Sequence, residues 1–269
     1  KHTVKAPALA GVFSNLLYFG TGSYWQAAKI SVKSELPLHI MVNDPDSSLN
    51  IIKNKEDNFQ KLDITLRKPV YKAVTDEPCS GVLSNEHLVW ISLSSLGSWE
   101  ELAHKVNTDY NEVISQPLPK LFNDIAKTAG EVKGDKDKID TITSLLNEKI
   151  QYMGDWRAIK GRFVPRDLNE IASTGVGDCK DFTAATAAIL RTIGYKADPA
   201  LVLRGQYEKS LNILPGINNF NHVIAKVTAS DGNVYWIDPT NITSMTGNIF
   251  ADIAEKATLV PVSYTHLTL

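Results

Sequence analysis

The chain has two thiols, Cys79 and Cys179, and the surroundings of the second are those of a nucleophile. Cys179 follows Asp178, a good helix N-cap, so it falls in the first turn of a helix that runs on through an Ala-rich stretch to Arg191. Unpaired backbone N–H groups and the positive end of the helix dipole favour negative charge there, which lowers a thiol pKa. Gly175 and Gly177 leave room for a substrate to approach the backbone, and the Cys179 N–H would point toward a developing oxyanion. The plainer alternative is a small apolar residue near a helix start. Two cysteines are also compatible with a single bridge.

A thiol with a free pKa of about 8.5 is only a few per cent thiolate at neutral pH and needs a base. His222 and Asp238 meet that need through a predicted hairpin. The runs His222 to Val227 and Val234 to Asp238 read as strands around the turn signal Asp231-Gly232, and Pro239 ends the second. The two residue numbers average 230, next to the turn, so antiparallel pairing brings both side chains to the same open end, about 5 Å apart. The carboxylate can then orient the imidazole. Taken singly, His222 also suits a surface or capping role and Asp238 a turn.

At this point the sequence resembles the transglutaminase-like superfamily, whose papain-like core sets a Cys at the start of a buried helix and its His and Asp on adjacent strands. The matching text is Gly177-Asp178-Cys179-Lys180-Asp181, Phe220-Asn221-His222-Val223 and Tyr235-Trp236-Ile237-Asp238-Pro239-Thr240, in that order. Tyr195 to Val202 resembles the strand that follows the Cys helix in this family, and the resemblance spans about Glu131 to Val260. The preceding half, including Val89 to Leu102, looks like the rear of a β-rich domain of unknown function that precedes this core in bacterial proteins. The resemblance implies catalysis by Cys179, His222 and Asp238 through an acyl-thioester, on peptide or glutamine-type amides, in a bacterial periplasm or cell envelope. Members include cross-linking transglutaminases, peptidases and amidases, and some have lost catalysis. Hydrolysis is preferred because it needs no second binding site, and nothing marks an amine-binding surface or a calcium site. A transglutaminase, or an envelope scaffold with a vestigial triad, is the alternative.

A second oxyanion donor should come from upstream. Trp156 is the candidate because its indole N–H can donate, although an aromatic packed on the core reads equally well. Gly175-Val176-Gly177 lacks the third glycine of a dinucleotide loop, and paired zinc-ligand spacings are absent, so no cofactor and no metal are expected. Asn241-Ile242-Thr243 fits a glycosylation pattern that arises often by chance. Lys180 and Asp181 read as solvated residues of the first helical turn.

The elements that must position these residues follow from composition and pattern. The 269 residues, 43% hydrophobic and 22% charged, form a globular chain long enough for two cores. A net charge of −2 gives no electrostatic case for nucleic acid or an anionic membrane, which leaves a protein, peptide or small molecule as partner. The apolar stretch Ala6 to Phe19 is too short to span a bilayer. Ala28 to Val32, Leu38 to Val42, Leu49 to Ile52, Lys61 to Leu66 and His87 to Ser92 read as short strands. The period then changes. Ser98 and Glu101 form a capping-box pattern ahead of a helix, Pro117 and Pro119 break it, and a second amphipathic run from Lys136 carries Ile139, Ile142, Leu145, Leu146 and Ile150 on one face. The expected fold is α+β: an antiparallel β domain over 1–96, a helical connection over 97–130, and a core over 131–261 with the Cys helix packed on an antiparallel sheet. Residues 262–269 follow no helix or turn logic and read as a tail of non-native origin, so His266 is given no role.

Overall fold

The computed structural model describes residues 9, 11–73, 85–154, 162–205, 212–243, 245–261 and 266–268. It divides into two compact units, and neither is continuous in sequence. One comprises Gly11–Glu101 with Gln206–Asn219; the other comprises Lys1–Ala10, Leu102–Gly205 and Phe220–Leu269.

The first unit is antiparallel β. Its strands are β1 (Ser14–Phe19), β2 (Lys29–Ser34), β3 (His39–Asn43), β4 (Leu49–Glu56), β5 (Phe59–Leu66) and β6 (Val89–Ser94). They form two three-stranded sheets, β1-β6-β3 and β2-β5-β4. Alternation along β5 turns Leu62 and Ile64 inward, where they join Phe19, Leu49, Val89, Ile91 and Leu93 in one core. Residues 212–219 close this unit from afar: Ser92 Oγ accepts from Leu214 N at 3.1 Å, and Ser94 Oγ donates to Pro215 O at 2.7 Å. The five strands expected from alternation are present within a few residues; β1 has no counterpart among them.

The helices are α1 (Trp99–Ile114), α2 (Lys120–Glu131), α3 (Asp135–Lys149), α4 (Leu168–Thr174) and α5 (Cys179–Thr192). Ser98 Oγ accepts from Glu101 N at 3.3 Å as the N-terminal pattern predicts, while the Glu101 carboxylate takes the Gly97 N–H at 2.9 Å. Helix α2, which the sequence reading passes over, buries Phe122, Ile125, Ala126 and Ala129 on one stripe. A short parallel pair, β7 (Gln151–Tyr152) and β8 (Val176–Gly177), precedes α5.

A five-stranded antiparallel sheet, in order β11-β10-β9-β12-β13, completes the second unit: β9 (Lys196–Val202), β10 (His222–Thr228), β11 (Val234–Ile237), β12 (Ala257–Leu259) and β13 (His266–Thr268). Helix α5 packs on β9 and β10 beneath α2, α3 and α4. Its Ala184, Ala185, Ala187, Ala188, Ile189 and Leu190 are all buried, and each large apolar side chain removed from water this way contributes about 1.5–3 kcal/mol. The small alanines let helix and sheet approach closely. Gly194, at φ +95°, ends the turn after α5 in a conformation that suits glycine. The hairpin turns at Gly232, φ +89°, with Ala229 N bonded to Asn233 O at 2.9 Å. Residues 266–268 pair with β12, so a strand lies within the stretch where the sequence shows no pattern. The whole is α+β. Among the described residues no helix is long and apolar enough to cross a membrane.

Candidate active site

The N-terminus of α5 is built by charged residues that bond one another. Asp178 Oδ1 accepts from Lys180 N at 3.2 Å, and the Asp181 carboxylate accepts from Asp178 N at 3.1 Å, a reciprocal capping box. The same Asp181 carboxylate receives Arg166 N at 2.9 Å, Arg166 Nε at 3.1 Å and Arg166 Nη2 at 2.7 Å. Lys180 Nζ bonds Asp178 Oδ2. Lys180 and Asp181 are therefore buried rather than solvated: each long polar chain finds a partner on or next to its own helical turn, which makes burial tolerable. Burial and the neighbouring Asp181 charge push the Asp178 carboxyl up, against the pull of Lys180.

This frame leaves Cys179 as a free, partly exposed thiol between two buried neighbours. Gly177 sits where a Cβ would meet Asp181 Cβ at 3.2 Å, Ile150 Cγ2 at 3.4 Å and Phe182 Cδ2 at 3.5 Å, so the approach to the helix start is closely packed. Met153 N bonds Gly177 O at 2.8 Å, which holds Tyr152 beside the site, and the Tyr152 ring lies 6.2 Å from that of Phe182.

His222, first residue of β10, is buried and faces two partners. Its Nε2 lies 3.0 Å from Asp238 Oδ2, which leaves Nδ1 for the hydrogen bond with the Cys179 sulfur. Burial pulls the imidazole down, but the bonds to Asp238 and Cys179, with their charges, outweigh it and push His222 up to about 9. Asp238 is wholly buried just past β11. Burial raises its carboxyl, yet His222 and the Thr240 hydroxyl and N–H hold it below the usual range. Thr240 Oγ1 donates to Asp238 Oδ1 at 2.6 Å and Thr240 N at 3.2 Å, while Asn147 of α3 donates to Pro239 O at 2.9 Å. A third partner, Arg204 Nη1, reaches Asp238 Oδ2 at 2.9 Å.

The three residues picked out by motif and hairpin register thus meet in one relay, at a cleft lined by Tyr152, Arg162, Phe163 and Phe220 as well as Cys179 and His222. Trp156 and Cys79 lie outside the described residues. Sequence reasoning missed Arg166 and Arg204. Arg204 stands in no motif, whereas Thr240, two residues after Asp238, is the familiar spacing of a carboxylate bonding forward to backbone and hydroxyl. Among the described residues no group of three or more His, Cys, Asp or Glu is placed to hold a metal ion.

Residues 123–239 match the family model of the Transglutaminase-like superfamily. A search of curated proteins gives no match. Among solved structures, a candidate protease from Parabacteroides distasonis ATCC 8503 superposes with a TM-score of 0.58 at 12% identity, over 90% of this chain and 47% of its own. The chain therefore spans about half the length of that protein, with which it shares its fold. A candidate cysteine protease from Cytophaga hutchinsonii (TM-score 0.33, 10% identity, 87% of this chain and 82% of that one) is only distantly alike. So is the periplasmic domain of TgpA from Pseudomonas aeruginosa (TM-score 0.32, 13% identity, 88% and 86%). The matching segment 123–239 contains the buried Cys helix α5 and the antiparallel strands β9, β10 and β11, the elements that carry Cys179, His222 and Asp238.

Proposed function

We propose that this protein is a cysteine enzyme that cleaves peptide or glutamine-type amide bonds through a Cys179 thioester, with water as the preferred acceptor. The observation that carries the reading is the unbroken relay from the Cys179 sulfur through both nitrogens of a buried His222 to a wholly buried Asp238. A ring that keeps its proton up to about pH 9 can take the thiol proton and hold it at neutral pH. The thiolate adds to the amide carbonyl, His222 returns the proton to the departing nitrogen, and the C–N bond breaks to leave the thioester. Water then gives a proton to His222 and its oxygen to the acyl carbon, and the C–S bond breaks. Asp238 keeps the ring oriented and offsets its charge in both halves.

The half-open cleft beside Cys179, with Tyr152, Phe163 and Phe220 around it, suits a peptide side chain more than a polar small molecule. Action in the bacterial periplasm or cell envelope belongs to the same reading, and fractionation of cells expressing the native gene checks it.

The decisive experiment measures ammonia or peptide release from glutamine peptides without added amine, alongside iodoacetamide labelling near neutral pH. Wild type turns over and labels rapidly at Cys179. Cys179→Ala abolishes turnover, His222→Ala costs nearly as much, and Asp238→Ala loses about 10⁴-fold while keeping a remnant. Turnover surviving in Cys179→Ala would reject the mechanism. Amine incorporation that outruns hydrolysis would reassign the enzyme as a transferase, and ordinary labelling with no turnover would mark a scaffold.

A further inference from the structure

Asp238 faces a difficulty that its two textual neighbours in the motif do not solve. Its side chain is fully buried, and in the stages when His222 is neutral the imidazole offers it no positive charge. Burial without a counter-charge pushes such a carboxylate toward its protonated form. Arg204 supplies the missing charge. Its Nη1 lies 2.9 Å from Oδ2, the same oxygen that His222 Nε2 meets at 3.0 Å, while Thr240 fills Oδ1 with two bonds. The guanidinium is itself held in place: Nε reaches Asp252 Oδ2 at 2.7 Å, and its carbon lies 5.8 Å from the Phe250 ring centre. Both backbone groups of Arg204 are clamped by the side chain of Asn221, whose Oδ1 accepts from Arg204 N at 2.6 Å and whose Nδ2 donates to Arg204 O at 2.9 Å. Asn221 directly precedes His222, so the residue that fixes Arg204 also fixes the start of β10.

We propose that Arg204 is a positioning residue of this site: it keeps Asp238 ionised through every stage and, by sharing Oδ2, restrains the basicity of His222 and so sets the alkaline end of the working range. The proposal deepens the acyl-transfer reading and rests on it. The charged groups around His222 are Cys179, Asp178 and Lys180 on α5, Asp238 after β11, Arg204 after β9 with Asp252 behind it, and Tyr152 and Arg162 across the cleft. Asp178 and Lys180 offset each other. Arg204 is the cation that shares an oxygen with the ring, and an Arg stays charged across the accessible pH range.

The sign follows from geometry. Replacing Arg204 by a neutral residue removes a positive charge beside the imidazolium and leaves Oδ2 to His222 alone, and both changes favour the protonated ring. Thr240 keeps the carboxylate in position meanwhile. If Arg204 served only to brace the loop, its loss would loosen Asp238 and weaken the ring's hold on its proton instead.

The test is a ¹⁵N-histidine NMR titration of the full chain, with the His222 signal identified by its absence in His222→Gln. In Arg204→Gln the ring midpoint should rise by about one pH unit above wild type, and Arg204→Lys, which keeps the charge, should restore most of the wild-type value. A midpoint unchanged or lowered in Arg204→Gln overturns the proposal. Should that variant not fold, Asp252→Asn carries the test: with its counter-charge gone the guanidinium acts more strongly, and the midpoint should fall. A midpoint unmoved in Asp252→Asn overturns the proposal equally. Because the titration needs no turnover, a shift found in a protein that neither hydrolyses amides nor incorporates amines would sink the enzyme reading and leave the electrostatic role of Arg204 intact.

Discussion

His222 shows how opposed influences on one ring decide its chemistry. Burial is the largest and favours the neutral form, so the raised value of about 9 is the work of two anionic neighbours, Asp238 and the Cys179 sulfur. Removing the sulfur leaves burial in place and deletes one of the opposing pair. The His222 midpoint should therefore drop below about 9 in Cys179→Ala, which the same NMR titration measures. In wild type, kcat/KM should fall as pH rises through about 9, because a ring without its proton cannot protonate the leaving nitrogen. Cys179, His222 and Asp238 were legible because each sits in a stretch with its own local logic: a capped helix start and the two ends of one hairpin. Arg204 was not. Its role depends on where the chain stands after β9, which no spacing rule reports, and Lys180 and Asp181 looked solvated because their partners are found only once Asp178 and Arg166 are in place.

At the scale of elements, the site depends on α5 starting in one place. Arg166 joins the segment ahead of α4 to the first turn of α5 through the Asp181 carboxylate, and its Nη2 also reaches Val176 O at 2.8 Å. Arg166→Ala leaves a buried carboxylate with backbone donors alone, and we expect a loss of about 3 kcal/mol in urea unfolding. Gly177→Ala attacks the same junction by crowding Asp181, Ile150 and Phe182. It should cost about 1–3 kcal/mol and slow iodoacetamide labelling of Cys179 as the helix start is displaced. The hairpin and the Cys helix were readable from turn residues and an alanine-rich run. Helix α2 could have been read, since Phe122, Ile125, Ala126 and Ala129 fall at helical spacing, but two alanines make a faint stripe just after Pro117 and Pro119. Strand β1 was hidden for another reason: it begins Ser14-Asn15 and is only half-buried, so alternation along it is weak.

At the scale of the molecule, the chain passes from one unit to the other and back twice. Nothing periodic in residues 206–219 ties them to β6, more than a hundred positions earlier, so this discontinuity could not be read from patterns that work within a dozen residues. It has a measurable outcome. In a fragment of residues 102–269, Leu214 N and Pro215 O lose Ser92 and Ser94, and limited proteolysis should cut within 212–219 at once, while the full chain resists there. Cleavage at equal rates in both would show that those bonds protect nothing. The excursion also bears on how the protein is made. The β unit cannot close when its last β strand leaves the ribosome, because residues 95–211 must still be synthesised before 212–219 arrive, roughly 6–23 s later at ordinary elongation rates. During that interval Ser92 and Ser94 wait without their partners on a newborn chain, and Cys179 is made within it whereas His222 and Asp238 follow only afterwards, so the β unit is open to holdase chaperones before the three side chains can meet.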